Sequence, residues 1–465
     1  MIERLSPLVS LSHGESSPCA GRSRLFRRPV ALALLVLLVS ACGAHSGVVR
    51  SARDGDEKAL SRALHEAQLA GKLSRCLAED VAQSLLEGEI ERSRNKEGED
   101  FIASLSLCGR ELESALARRS RTHDEVGGRA LLLLVESGRR HGDALDHERD
   151  EIVSYRAAFA RALTGPKNAS RRVPLYSDPD VLVRRAALDA AQGSTTAEEF
   201  DALADAARHD PDPLCRSKAI RLLGNIDAPS SVPMLLERYG SGSEQEKLAA
   251  LEGLRRKAVS DLGARDELYH LATGSEGLLR LSAAIVVLEG ALPLEPEQKE
   301  FLTNIIDQAA RSGAPSERVV AFRFLDLDSQ ATRELLREAT GSPSESVQLA
   351  ALSYLIQEGQ EKEDRAHAEE LLLELAQKNT GGAARAKQIL ASQSFHSVRG
   401  LLLEDIKSKD PEVRVAAAEG LIALDLWDQA GVLLADPEPT VRRRLACTML
   451  AAGDSPPPRD PAESP

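Results

Sequence analysis

The stretch RRHGDALDHERDE, Arg139 to Glu151, gathers the side chains best suited to hold a metal: His141, Asp143, Asp146, His147, Asp150 and Glu151. Imidazole and carboxylate together are zinc-type ligands. Read as a helix, though, the stretch scatters them around its circumference, and Arg139, Arg140 and Arg149 interleave charge that opposes a cation. A solvated charged face is the expectation. Glu369 and Glu370 likewise fall on the polar side of an amphipathic helix and need no catalytic role. The chain has no Gly-x-Ser-x-Gly, phosphate-binding loop, HExxH or Gly-rich dinucleotide fingerprint. YGSGSEQ from Tyr239 reads as a loop. No CxxC pair supports metal or redox chemistry through cysteine. The sequence therefore predicts a non-enzyme with no cofactor and no metal.

Where these residues sit depends first on RRPVALALLVLLVSACGAHSG, Arg27 to Gly47. The apolar run Val30 to Ala41 spans only about 18 Å as a helix, short of the roughly 30 Å hydrocarbon core. Upstream arginines, a short apolar block and small residues at its end have the anatomy of an export signal. Val39-Ser40-Ala41-Cys42 resembles the lipobox of bacterial lipoproteins. That resemblance implies lipid on Cys42, cleavage between Ala41 and Cys42, and a membrane anchor through several acyl chains, since one chain binds only marginally. An ordinary cleaved signal, leaving a secreted protein, is the competing reading. Gly43 stands where Asp would retain an enteric lipoprotein at the inner membrane, which favours the outer membrane facing the periplasm.

The net charge is −13, and loss of residues 1–41, with five arginines and two acidic residues, takes it to −16. So acidic a chain repels nucleic acid phosphates, and no nucleic-acid partner is expected. Apolar residues make up 42% but aromatics only 3%, so Ala, Leu and Val must build the core, a helical palette. Six cysteines occur, at 19, 42, 76, 108, 215 and 447. Cys76 and Cys108 lie in neighbouring helical segments and are candidates for a disulfide in an oxidising compartment. Cys215 and Cys447 read as buried small hydrophobes.

The elements that position all of this repeat. DPDVLVRRAALDAA from Asp178, DPDPLCRSKAIRLLG from Asp210, DPEVRVAAAEGL from Asp410 and DPEPTVRRRLACTML from Asp436 share Asp-Pro, an apolar-Arg pair and an Ala-rich run. Weaker copies begin at Glu246, Leu279, Arg318, Val347 and Ala384. A period near 30 residues is the signature of a stacked solenoid. Asp should cap each helix, Pro should fit its first turn, and Gly224 should close its helix in the left-handed conformation. Apolar residues at i, i+4 and i+8 (Val183, Ala187, Ala191; Cys215, Ala219, Leu223; Val413, Ala417, Leu421; Val441, Leu445, Met449) mark one buried face.

These motifs resemble HEAT repeats, particularly the short bacterial type related to phycobilin-lyase repeats, over Ser170 to Gly453. The resemblance implies an all-α superhelix of antiparallel helix pairs. It also implies an internal ladder in which the Arg after the apolar residue pairs with the loop Asp of a neighbouring repeat, with Arg184, Arg216, Arg414 and Arg442 in that place facing Asp178, Asp210, Asp410 and Asp436. Lys247 and Gln348 replace the Arg in two copies that also lack Asp-Pro, so the ladder should break there. The expected organisation is a signal peptide over 1–41, a short tether over 42–50, a divergent helical region over 51–165, the solenoid over 170–453 and a Pro-rich tail over 454–465. Solenoids expose long binding surfaces, which points to a lipid-anchored scaffold for another envelope protein. An enzyme subunit like the phycobilin-lyase relatives, or a purely architectural envelope protein, are the alternatives.

Overall fold

The computed structural model describes residues 45–453 apart from 259–260, 291–293, 358–360 and 379. The expected leader, Cys42 and the Pro-rich tail lie outside the described residues. All regular structure among those described is helical, and the architecture is an all-α solenoid of HEAT type.

The chain divides into two compact units, one of residues up to Gly88 together with those from Trp427 onward, the other Glu89–Leu426. The first unit holds α1 (45–54), α2 (Glu57–Leu69), most of α3 (Arg75–Arg92), α25 (Trp427–Ala430) and α26 (Pro439–Gly453). Both ends of the described chain thus belong to one unit. α2 packs on the 3-10 turn Gly431–Ala435 that precedes α26. Arg75 donates to the carbonyls of Ala452 and Gly453 and lies over the Trp427 ring. Over its described residues, 45–50, the expected tether is helical, because Val48 and Ala52, one turn apart, are both buried. Gly88 lets α3 approach that helix, since a Cβ there would overlap the Arg53 carbonyl.

In the second unit α4 (Asn95–Ser104), α5 (Glu113–Arg119), α6 (Glu125–Glu136), α7 (His141–Ala144), α8 (Val153–Ala162) and α9 (Ala169–Arg172) lead into a regular alternation. An inner row continues as α10 (Val181–Ala190), α12 (Pro213–Leu223), α14 (Glu244–Ala258), α16 (Gly277–Leu288), α18 (Pro315–Ala321), α20 (Glu345–Leu355), α22 (Gly381–Ser392) and α24 (Pro411–Ala423). An outer row is α11 (Phe200–His209), α13 (Ser231–Ser241), α15 (Leu262–Gly274), α17 (Pro296–Ser312), α19 (Gln330–Ala339), α21 (Lys362–Ala376) and α23 (Arg399–Asp405). From α6 to α24 every inner helix packs against the next, while outer helices pack chiefly onto the inner row. Each copy of the sequence motif begins an inner helix or, for the last, α26. The predicted stripe is buried at every position except Val413, which is half-buried.

Several expectations change. The break near Thr164–Arg172 separates nothing, because α8 packs directly on α10. The inner row starts two helices earlier, at α6 and α8. Gly224 is right-handed (φ −65°). It is small for another reason: a Cβ there would strike the backbone of Gly253 on α14. The caps also shift. Asp180 and Asp212, the second acid of Asp-Pro-Asp, cap α10 and α12. Asp178, Asp210 and Asp436 brace the preceding turn by accepting from the amide two residues on. Only Asp410 caps its helix with Pro411 in the first turn. Finally, Cys447 is disulfide-bonded, as are Cys76 and Cys108, while Cys215 is the free, buried cysteine among the described residues.

Candidate interaction surface

Each motif arginine first closes its own loop. The Nη1 groups of Arg184, Arg216, Arg414 and Arg442 donate to the carbonyls six and five residues earlier: Asp178 and Pro179, Asp210 and Pro211, Ser408 and Lys409, Asp436 and Pro437. Asp178, Asp210 and Asp436 therefore meet their own Arg through the backbone carbonyl, whereas Arg414 takes the two carbonyls just before Asp410. The other edge of the guanidinium reaches one repeat on. Arg184 makes a bidentate pair with Asp210 at 2.8 and 3.1 Å. Arg216 pairs with Glu246 at 2.5 Å. The expected break is thus absent on this side, because Glu246 itself supplies the carboxylate where Asp-Pro is missing. Arg442, in the last copy, pairs with Glu57 on α2 at 2.8 Å, so within the first unit α2 stands where a next repeat would.

Upstream the same logic is fully buried. Arg172, with no solvent exposure, donates from all five N–H positions: to both oxygens of Glu199 and to the carbonyls of Leu163, Gly165 and Ser194. Tyr176 Oη donates to Glu199 at 2.5 Å. Burial alone would raise the Glu199 carboxyl, but Arg172 and Tyr176 hold it below the ordinary glutamate range. Burial and the neighbouring Glu199 push the Tyr176 hydroxyl up.

A second ladder, which the sequence reading did not anticipate, lies on the solvent side of the inner row. Lys218 on α12 pairs with Asp189 on α10. Arg221 on α12 pairs with Glu252 on α14, which also takes Arg256 of its own helix. Arg255 on α14 pairs with Glu289 at the end of α16. Arg185 reaches Asp212, whose carboxyl its hydrogen bond holds far below the usual range. Most of these groups are a third or more exposed; Arg255 and Glu289 reach 45% and 43%. At the upstream end Glu136 is open to solvent yet closely surrounded by protein. That burial raises its carboxyl, against the pull of Arg161. The ladder crosses three helix-to-helix steps, about 24–30 Å at 8–10 Å each.

The histidine-rich stretch is not a helix face. α7 ends at Ala144 and the chain turns, bringing His147 and Asp150 against His123 and Tyr155. Asp150 lies 3.0 Å from His147 Nδ1 and 3.6 Å from His123 Nε2. Burial pushes its carboxyl up, but the Ile152 amide and both histidines bring it below the ordinary range. Tyr155 Oη donates to the carbonyls of Ser120 and Thr122, and burial lifts its hydroxyl to about 12. The cluster pins the turn after α7 to the start of α6. No group of metal-ligating side chains of the required number comes together among the described residues. A cleft of about 190 Å³ between α11 and α13, lined by Phe200, Ala204, Met234 and the Arg208–Glu237 pair, is small for a ligand site. No described helix is long and apolar enough to cross a membrane.

No curated protein matches the chain. Residues 169–255, which span α9 to most of α14 and hold the Arg172, Arg184 and Arg216 rungs, match the family model for HEAT repeats. Residues 169–255 are accordingly similar to HEAT repeats, and the described residues form an all-α, HEAT-like solenoid.

Proposed function

We propose that this protein is a lipid-anchored, non-catalytic scaffold of the bacterial cell envelope, and that it binds a protein partner through the inner row of its second unit. The exposed charge ladder from Asp189 to Glu289 carries the reading. Ion pairs that keep solvent access, from Lys218 at 19% to Arg255 at 45%, contribute little to folding, about 0–1 kcal/mol each. A partner with complementary charges can therefore replace them at small cost, gaining specificity and association rate. The anchor rests on the lipobox-like residues ending at Cys42.

In-cell crosslinking of a tagged protein tests the proposal. Wild type should capture one envelope protein in near-stoichiometric amount, and Arg221→Glu with Arg255→Glu should lose it while the thermal melt is unchanged. Capture of the same protein by wild type and variant alike would move the contact away from this ladder. Recovery of nothing above background from correctly localised protein would refute the scaffold.

A further inference from the structure

The first unit begins almost at the anchor. Only Gly43 and Ala44 separate Cys42 from His45, the first described residue, which is already helical. Three residue steps span at most about 11 Å. α1 is no free linker beyond that point: Val48 and Ala52 are buried, and His45 Nε2 lies 3.0 Å from Asp80 on α3. Lipid on Cys42 thus sits within one helix diameter of a folded body, with no spacer.

Charge is distributed to match. Residues 45–88 and 427–453 carry nine Lys and Arg against ten Asp and Glu, whereas residues 89–426 carry 44 against 57. The anchored unit is nearly neutral, and the acidity that would repel an anionic leaflet lies in the other unit. At a separation close to the Debye length of about 8 Å, surface charge is only partly screened, so this difference matters.

We infer that the face of the first unit around the start of α1, with His45, Gly47, Arg50 and Asp80, lies directly on lipid headgroups. The occupant of this face is the bilayer surface itself. The inference rests on the anchored reading proposed above and goes beyond it, since a lipoprotein with a long spacer would leave this face free.

The test uses the full-length protein, purified from membranes and reconstituted in phosphatidylethanolamine–phosphatidylglycerol vesicles. Gly47→Cys carries a fluorophore; the site is exposed, and a Cβ there meets nothing within 4 Å. The remaining described cysteines are disulfide-bonded or buried, so labelling is selective. Lipids with nitroxide headgroups are the quencher. Mass spectrometry of the N-terminal peptide reports acylation separately. With acylated Cys42, quenching should be strong. It should fall several-fold when a 20-residue Gly-Ser segment is inserted after Cys42, which lengthens the root-mean-square reach to about 25 Å. Acylated protein whose quenching is weak, or is unchanged by the insertion, overturns the inference and leaves the anchor standing. Absence of acylation overturns both.

Discussion

Arg172→Met tests whether the loop-closing arginines hold the solenoid together. The substitution keeps the aliphatic volume and removes five hydrogen bonds. Glu199, itself without solvent exposure, then keeps the Tyr176 hydroxyl and the amide and hydroxyl of Thr196. The carbonyls of Leu163 and Ser194 lose the Arg172 donor, and that of Gly165 keeps the Asn168 amide at 3.3 Å. Breaking a buried pair from one side costs about 3–5 kcal/mol, mostly through the uncompensated charge left behind. A solenoid unfolds locally, repeat by repeat, so a whole-chain midpoint would dilute the effect. Amide hydrogen exchange over residues 160–200 is the better assay. At one decade per 1.4 kcal/mol, protection there should fall between a hundredfold and a few thousandfold, with the helices from α18 onward unchanged. The pH dependence adds a signature. In wild type the Glu199 carboxyl is held below its ordinary value of about 4.3. Its contribution is therefore fully present above pH 4.3 and is lost as the pH falls through the lowered folded value. In the variant, burial without Arg172 raises the same carboxyl, so neutralisation relieves the buried charge. The gap between the two proteins should narrow as pH drops below about 4.5. Arg172→Met with Glu199→Gln should recover much of the loss. A loss of protection under tenfold in the single variant, or a gap that widens in acid, would refute the reasoning.

The remaining expectations are direct. Intact protein exposed to iodoacetamide without reductant should take up no label at Cys76, Cys108 or Cys447, and Cys215 should react only after denaturation; mass spectrometry reads both. Gly224→Ala should destabilise the α12–α14 contact by about 1–3 kcal/mol, since its Cβ meets Gly253, whereas Gly400→Ala, which faces open space in α23, should be neutral or mildly stabilising in urea melts. Asp212→Ala removes both the α12 cap on the Cys215 amide and the Arg185 partner. It should cost about 1–2 kcal/mol, read as lost exchange protection in the first turn of α12.

Helix starts were legible because the motif carries its own physics. A spacing near 30 residues found even the weak copies at Glu246 and Arg318, which lie in α14 and α18. The copies at α6 and α8 escaped, since neither begins with Asp-Pro and their contact depends on Gly127 and Gly128, small residues that carry no periodic signal. Local hydrogen-bond choices were less legible. In Asp-Pro-Asp either acid can cap, and only the backbone path decides that Asp180 and Asp212 do. Gly224 looked like a helix terminator because a sequence does not show what stands opposite it. The exposed ladder did leave a trace. Asp189, Arg221 and Glu252 lie six residues after Val183, Cys215 and Glu246, with Lys218 three residues after Cys215 and Arg255 nine after Glu246. Steps of three put these groups on one stripe beside the buried one, with opposite charges facing each other between neighbouring helices.

The two ladders divide the work of the repeat between them. In the buried one, an arginine satisfies two carbonyls of its own loop and a carboxylate of the next, so its loss strands three acceptors at once. Such a rung fixes where one repeat sits on the next, and it cannot be lent to a partner. Where repeat and acid run out at the C-terminal end, Arg442 finds Glu57 on α2, so the last loop is held as the earlier ones are. The exposed rungs are different. Each charge there already has solvent on one side, and replacing its partner leaves no buried acceptor unsatisfied. Stability is thus concentrated at positions a ligand does not reach. The inner surface can then change its charge pattern from repeat to repeat, and with it the partner it fits, without disturbing the stack beneath. Charge reversal at Arg255 should accordingly leave exchange protection within about threefold of wild type, and the same reversal at Arg184, whose Asp210 partner is buried, should collapse it.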